Sequence, residues 1–560
     1  MGSQGGQPER PVAIGVDLGT ESGRVLLLDL SSGQELAVET VGYPHGVLDE
    51  LLPDSSGPLP ADWALQDPRD YLHVLRRGIP EALRQGSVEA ARVVGIGIDV
   101  TSCTVLPALH DGTALCELPG WAKNPHAWPK LWKHHAAQGI ADRMTEVAQA
   151  RGEAFLDRYG GRISSEWYFP KLLQILKEDR AVYDAMDVFV EATDWIVWQL
   201  TGKLARSACP AGYKALWSPA AGLPPMAYFR AVAPALDDPA AKLGSCFLPL
   251  GARAGGLLPE RAAELGLRPE VAVAVGNVDS FVSVPGAGIV DDGVLVSVVG
   301  TSICDMVVHP REVWPPGITG VVADGILPGR FGYEAGQPAV GDMFAWFADR
   351  LLGLGEGGSR RYGELEANAT AVAPGASGLV ALDWWNGNRS VLGNAALGGV
   401  LAGLSLQTTP GEIYRALLES VAFGARTIID TFERQGVVLV RMVACGGIAE
   451  RSPLLMQLMA DVTGRTLETV ASVQVPARGA ALFGAVAAGA HAGGFDSIEK
   501  AAQSLAPSTA RVYRPDPASR EVYETLYGVY LGLHDELGRS RVEWLHTLKS
   551  LRQRALARRG

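Results

Sequence analysis

The chain has little cysteine, six residues in 560, and Cys103, Cys116, Cys209, Cys246, Cys304 and Cys445 form no C-x-x-C pair and no Cys/His zinc spacing. That excludes a disulfide framework and a zinc module, and it reads as reduced thiols in a cytoplasmic protein. No apolar run approaches the ~18 residues needed to cross a bilayer. Positive charge is not in excess: the formal net charge is −12, so the surface repels nucleic acid and anionic membranes. The basic run Arg552 to Arg559 is an exception that reads as the solvated end of a helix. Residues 1–10 lack a basic segment followed by an apolar one, so they read as a disordered polar lead rather than a secretory signal. The pattern G-x-x-x-x-G-K-[ST] is also missing, which disfavours a Walker-type ATPase. A polyanionic ligand must therefore be held locally, by backbone donors, a metal or a few basic side chains.

What is present begins with size. A chain of 560 residues with 47% hydrophobic and 20% charged residues is globular but too long for one core, and two lobes of roughly 250 residues follow. A repeat agrees with this. Val16-Asp17-Leu18-Gly19-Thr20-Glu21-Ser22 recurs in altered form as Val299-Gly300-Thr301-Ser302-Ile303-Cys304-Asp305. Each copy predicts a strand, a Gly-Thr turn and a return strand, from Val12 to Asp29 and from Val294 to Val308. Backbone N–H groups in such turns, with Thr and Ser hydroxyls, hold phosphate oxygens without a basic surface. Two of them suggest two related lobes gripping one phosphorylated ligand.

Between the hairpins, Val93 to Asp99 predicts a buried strand running into the polar loop Thr101-Ser102-Cys103-Thr104. Residues 120–235 are tryptophan-rich and mostly helical, too long for a loop, and predict an inserted subdomain. Val271 to Val275 predicts a short strand ending at Gly276-Asn277-Val278-Asp279, and the lobe boundary falls near 288. The expected units are thus a first lobe over 11–288, a second lobe over 289–505 and terminal helices over 506–560. In the second lobe, Thr409-Pro410-Gly411-Glu412 is a helix start with a capping box, and Gly436 marks its stop. A strand over 439–443 then leads into Cys445-Gly446-Gly447, and Ser452-Pro453 opens a helix closed by Gly464. Strand, Gly-Gly turn and helix form a nucleotide-binding order, because glycines admit a ligand to the backbone and a helix N-terminus favours negative charge. The small residues from Gly479 to Gly489 predict a helix packed closely on its neighbours.

Asp17, at a strand end before Gly19-Thr20, is placed to meet Mg²⁺ directly or through water. Alone, it reads equally as a turn aspartate bonding its own backbone. Asp279 suits the carboxylate that orients an acceptor hydroxyl and takes its proton, or else caps a Gly-rich turn. An ordinary aspartate pKa of about 4 suffices for that role. Glu334, in a Gly-flanked segment, suits sugar hydroxyls or is a solvated acid. Lys214 binds a sugar oxygen or is a surface lysine. Trp132, Trp167 and Trp195 wall a sugar site or belong to the core.

Together these motifs resemble the FGGY family of carbohydrate kinases over about residues 12–490. The resemblance rests on Gly15 to Ser22, Gly97 to Thr104, Leu131 to His135, Gly160 to Trp167, Ala211 to Trp217, Gly300 to Asp305 and Tyr333 to Gln337. It implies an α/β fold of two RNase H-like lobes, of the actin/hexokinase ATPase type, with a central cleft and a helical insertion in the first lobe. It implies ATP and Mg²⁺ in the cleft and phosphoryl transfer to the 5-hydroxyl of ribulose, as in L-arabinose catabolism, by a cytoplasmic homodimer. The ribulose stereoisomer stays open, as does a kinase for xylulose or ribitol. An actin-like or chaperone-type ATPase is the alternative outside that class. By the same resemblance Asp279 is the general base, while Ser102, Trp132, Lys214 and Glu334 join it at the sugar. Asp17 serves the metal, and Gly19, Thr20, Glu21, Gly300, Thr301 and Ser302 the phosphates. Gly446, Gly447, Arg451 and Ser452 face the adenosine. His134 stands where the family pattern has aspartate, at the expected edge of the sugar site.

Overall fold

The computed structural model describes residues 10–53, 57–354, 358–472 and 474–557. Nearly all of the expected disordered lead and the end of the basic run lie outside the described residues. Each Gly-Thr hairpin founds one sheet. In the first, Val12–Leu18 pairs antiparallel with Ser22–Asp29, which pairs antiparallel with Glu35–Gly42. On its other side Val12–Leu18 runs parallel to Val93–Val100, followed by Ala272–Ala274 and the edge strand Arg253–Gly256. The second half repeats the plan. Val294–Val299 and Ile303–His309 form the hairpin, extended on one side by Phe331–Gln337 and Gly320–Ala323. On the other side lie Arg441–Cys445, Thr466–Val470 and Thr509–Tyr513. In both sheets antiparallel pairing gives way to parallel pairing at the first strand of the hairpin. Every residue of Val12–Leu18 and Val93–Val100 is buried, as befits central strands covered on both faces.

The helix Val475–Ala488 follows the second sheet in the chain but packs on the first. A Cβ on Gly15 would sit 1.7 Å from the Ala477 carbonyl oxygen, and one on Gly97 would sit 1.8 Å from that of Ala480. Only glycine permits so close an approach of helix to strand. The same helix crosses Asp279–Gly286, where a Cβ on Gly479 would fall 1.9 Å from the Val282 carbonyl oxygen. The small-residue run is therefore a stitch between the halves: the segment expected wholly within the second lobe covers the first lobe's sheet. The chain then returns to the second sheet with Thr509–Tyr513.

The helix Pro410–Arg434 carries the expected capping box, with Thr409 N–H donating to Glu412 at 2.7 Å. The strand expected over 439–443 is Arg441–Cys445; Val440 N–H instead bonds the Gly293 carbonyl at 2.8 Å, before the ladder starts. The tryptophan-rich block holds the helices Gln138–Arg151, Tyr168–Glu178, Ala192–Thr201 and Ala208–Lys214. It also contributes Val188–Glu191, antiparallel to Val105–Ala108. Arg520–Asp535 and Val542–Ala557 are the terminal helices. Among the described residues no helix is long and apolar enough to cross a membrane.

Candidate active site

The two central strands of the first sheet end in acid. Asp17 and Asp99 are register partners on parallel neighbours, so their carboxyls stand side by side on one face. Both are buried, and Arg24 Nη1 reaches Asp17 Oδ2 at 3.4 Å. Neither carboxylate oxygen of Asp99 meets a donor among the described residues. Burial, then the nearby charges of Asp17 and Asp279, push Asp99 well above the usual carboxylate range. Burial also raises Asp17, against the opposing pull of Arg24.

The two hairpin turns each close on the glycine N–H, the first over three residues and the second over two. Gly19 N–H donates to the Ser22 carbonyl at 3.0 Å, and Gly300 N–H to the Ser302 carbonyl at 2.9 Å. Trp132 Nε1 donates to Thr20 Oγ1 at 3.1 Å, tying the first turn to the inserted block. Glu21 and Thr301 are exposed and Ser302 half-buried, while the carbonyl of Thr301 accepts from Val340 N–H at 2.9 Å.

Asp279 lies where the first sheet hands over to the second half. Asn277–Val278 runs beside Asp99 and Val100, and Asp279 opens the helix Asp279–Gly286. Its Oδ1 accepts from Ser280 N–H at 2.7 Å. Its pKa is pushed up to about 7, first by burial and then by the charge of Asp17, with Glu334 adding and Lys214 opposing. The ordinary value expected from sequence is thus corrected, because periodicity along a chain does not place Asp17 beside Asp279.

Lys214 ends a first-lobe helix and Glu334 sits in a second-lobe strand, yet Lys214 Nζ donates to Glu334 Oε2 at 2.7 Å. Their side chains are 6% and 9% exposed, so neither is the surface group its residue type allows. Burial alone lowers the lysine pKa, but the Glu334 charge prevails and raises it. Ser102 is half-buried, in the loop after Val93–Val100. That loop is braced by Lys171, whose Nζ donates to the carbonyls of Cys103 at 2.6 Å and Leu131 at 2.9 Å. Burial lowers Lys171 to about 8.

At the opposite end, Gly446 adopts φ +93, and a Cβ there would fall 2.7 Å from the Val299 carbonyl oxygen, which brings the Gly-Gly turn against the second hairpin. Gly447 opens the short helix Gly447–Arg451, and the Arg451 guanidinium folds back toward Gly447 while remaining exposed. Ser452 caps Pro453–Thr463 as expected, with Gly464 closing it. However, Glu366 Oε1 already accepts from Ser452 Oγ at 3.1 Å and Leu454 N–H at 2.9 Å. Donors offered by sequence to the nucleotide are therefore met within the protein at this helix start.

Two other expectations fall in the core. His134 is fully buried, with Nε2 2.8 Å from Gln174 Oε1, so it does not border an open site. Trp195 is buried and donates to the Gly112 carbonyl at 2.8 Å. Conversely, the structure gathers groups that the sequence did not single out for the site. Asp99 shares with Asp17 the pattern of an apolar strand ending in aspartate, a signal that was legible. Glu166 and Arg389 come from irregular segments, and Gly387-Asn388-Arg389-Ser390 reads only as a loop.

Two lobes of one topology, with hairpin turns, three neighbouring carboxyls and an interlobe ion pair at their junction, define the two-lobed phosphotransferase class. Solved sugar kinases share the fold: a xylulose kinase from Rhodospirillum rubrum superposes with a TM-score of 0.76 at 26% identity, covering 96% of this chain and 100% of that one. A glycerol kinase from Plasmodium falciparum with ADP gives 0.73 at 14% identity, covering 93% and 98%, a likeness of fold alone. The N-terminal domain of the FGGY family of carbohydrate kinases matches residues 12–286, and its C-terminal domain matches residues 295–488. The chain belongs to that family and is a carbohydrate kinase. A protein named ribulokinase from Halalkalibacterium halodurans is 50% identical over 96% of this chain and 97% of its own length. Another, from Mycolicibacterium smegmatis, is 44% identical over 94% of each.

Proposed function

We propose that the chain transfers the γ-phosphate of ATP to the 5-hydroxyl of ribulose, giving ribulose 5-phosphate and ADP, with L-ribulose as the preferred substrate in L-arabinose breakdown. The observation that carries this reading is the buried Lys214–Glu334 pair bridging the lobes close to Asp279. A pair so placed offers donors and acceptors to a polyol, while Asp279 offers a base. The relatives named ribulokinase, about 50% identical over nearly the whole chain, support ribulose as the polyol.

In this reading the sugar binds between the lobes with its 5-hydroxyl at Asp279. Lys214 donates to a sugar oxygen, Glu334 accepts from a hydroxyl, and Ser102 and Trp132 flank them. Asp279 takes the hydroxyl proton as the oxygen bonds the γ-phosphorus, and the bond from that phosphorus to the β–γ bridging oxygen breaks to release ADP. The donors of the turns at Gly19-Thr20 and Gly300-Thr301-Ser302 other than the Gly19 and Gly300 N–H groups, which close the turns, steady the phosphate oxygens. Lobe closure excludes water that would otherwise accept the phosphate. Asp17 and the unpartnered, buried carboxylate of Asp99 present hard oxygen donors at one spot, which fits Mg²⁺. When bound there it would neutralise phosphate charge. The Gly446-Gly447 turn faces the adenosine.

ADP release measured with L-ribulose, D-ribulose, xylulose, ribitol and glycerol tests the reading. Release should depend on sugar and be fastest with L-ribulose. Release indifferent to every sugar overturns it.

A further inference from the structure

Arg389 stands in a stiff second-lobe loop. Asn388 and Asn394 exchange backbone hydrogen bonds at 2.9 and 2.7 Å, and Asn388 Oδ1 accepts from Leu392 N–H at 2.9 Å. The loop is fixed to its surroundings on two sides. Ser390 Oγ accepts from Gly336 N–H at 3.2 Å, on the strand that carries Glu334 two residues earlier. Gly317, at φ +77, packs so tightly on the Val391 carbonyl that a Cβ would fall 1.9 Å from its oxygen. The half-buried Arg389 side chain is therefore presented by rigid backbone, but among the described residues its guanidinium forms no ion pair. The groups that act on it are Glu166, Cys304, Glu334 and Cys103. Glu166 is likewise half-buried and without an ion pair among the described residues, on the first lobe just ahead of the helix Tyr168–Glu178.

These neighbours order the cleft. Asp279 is influenced by Asp17, Glu334 and Lys214. The Arg389 loop and its neighbours meet the segment that leads to Glu166: a Cβ on Gly160 would fall 2.8 Å from the Ile318 carbonyl oxygen and one on Gly393 3.4 Å from Arg162 Cδ, while Glu334, bound to Lys214, acts on both Asp279 and Arg389. A cation and an anion, one per lobe and neither in an ion pair among the described residues, leave their hydrogen-bonding capacity for a ligand. A guanidinium offers a planar fork of donors, and a carboxylate accepts from hydroxyls.

We propose that Arg389 and Glu166 grip the sugar at the end remote from the transferred phosphate, Arg389 donating to its carbonyl and hydroxyl oxygens and Glu166 accepting from its hydroxyls. This rests on the reading of the cleft as a ribulose site and makes Arg389 a specificity-determining residue. The fork rewards an acceptor at that end, so ketoses are favoured over analogues stripped of oxygen there.

The test compares steady-state kinetics and nucleotide-free calorimetric titration of L-ribulose and 1-deoxy-L-ribulose for wild type, Arg389→Gln, Arg389→Lys, Glu166→Gln and Lys214→Met. Arg389→Gln and Glu166→Gln should each weaken L-ribulose by roughly 10–100-fold, the scale of a charge-assisted hydrogen bond. The KM for ATP should stay within about twofold and Arg389→Lys should recover part of the loss. Removing the 1-hydroxyl should cost much less in Arg389→Gln than in wild type, because the partner is already gone. The inference is overturned if Lys214→Met loses sugar affinity while Arg389→Gln keeps it. It is also overturned if Arg389→Gln weakens both sugars, or sugar and ATP, equally. Wild type that binds no ribulose removes the underlying reading itself, a distinct result.

Discussion

Asp279 holds its carboxyl at about 7 because it is buried near Asp17, and that value sets how activity responds to pH. Only the carboxylate accepts a proton, so kcat/KM for the sugar should fall as pH drops through about 7 and level off above it. A flat profile from about pH 5.5 to 8.5 contradicts the assignment. Lys214 and Glu334 make a second residue-scale prediction. Lys214→Met strands a buried carboxylate, and removing one partner of such a pair typically costs about 3–5 kcal/mol. Urea unfolding should show that loss, and adding Glu334→Gln should restore much of the stability but not sugar affinity. An unchanged midpoint in Lys214→Met means that the pair is not desolvated. Residue identity made Asp17, Lys214, Asp279 and Glu334 legible as candidates. Their mutual distances, and with them the pKa of Asp279, come only from tertiary folding. Arg389 was illegible because a lone arginine in a Gly/Asn loop has no local signature.

At the scale of elements the hairpins were the clearest part of the sequence, since alternation, a Gly-Thr turn and a repeat all agreed. Both fold as expected and each seeds one sheet. The capping box at Thr409 and the Gly464 stop were equally local and equally visible. What local pattern does not reveal is the sheet that a helix covers. Val475–Ala488 is small-residue rich because it lies on Gly15, Gly95 and Gly97 of the other half. Gly97→Ala drives a Cβ to 1.8 Å from the Ala480 carbonyl oxygen, where backbone must shift on both sides. Overpacking of this kind costs about 1–3 kcal/mol or more. Gly42→Ala, with nothing within 4 Å of its added carbon, is the control and should change stability by no more than about 0.5 kcal/mol. Equal denaturation midpoints for the two variants contradict the packing described.

For the whole molecule, duplication explains the layout: two sheets of one plan, each bringing a Gly-Thr turn to the junction, and a crossing pair of helices holding the halves together. The helix Asp279–Gly286 is one of that pair, so the proposed base stands on the element that connects the lobes. The chemistry and the junction are therefore one structure. The two-lobe plan was visible in the repeat, whereas the return of the C-terminal segment to the first lobe was not, because it depends on contacts far apart in sequence. The claim that matters most is that Asp279, at this junction, takes the proton from a sugar hydroxyl. Single-turnover phosphorylation of L-ribulose by Asp279→Asn, with sugar affinity measured in parallel, tests it most directly. The account predicts a turnover lower by about 10²–10⁴ with ribulose affinity within a few-fold of wild type. Turnover near the wild-type value in a folded, sugar-binding variant would contradict it.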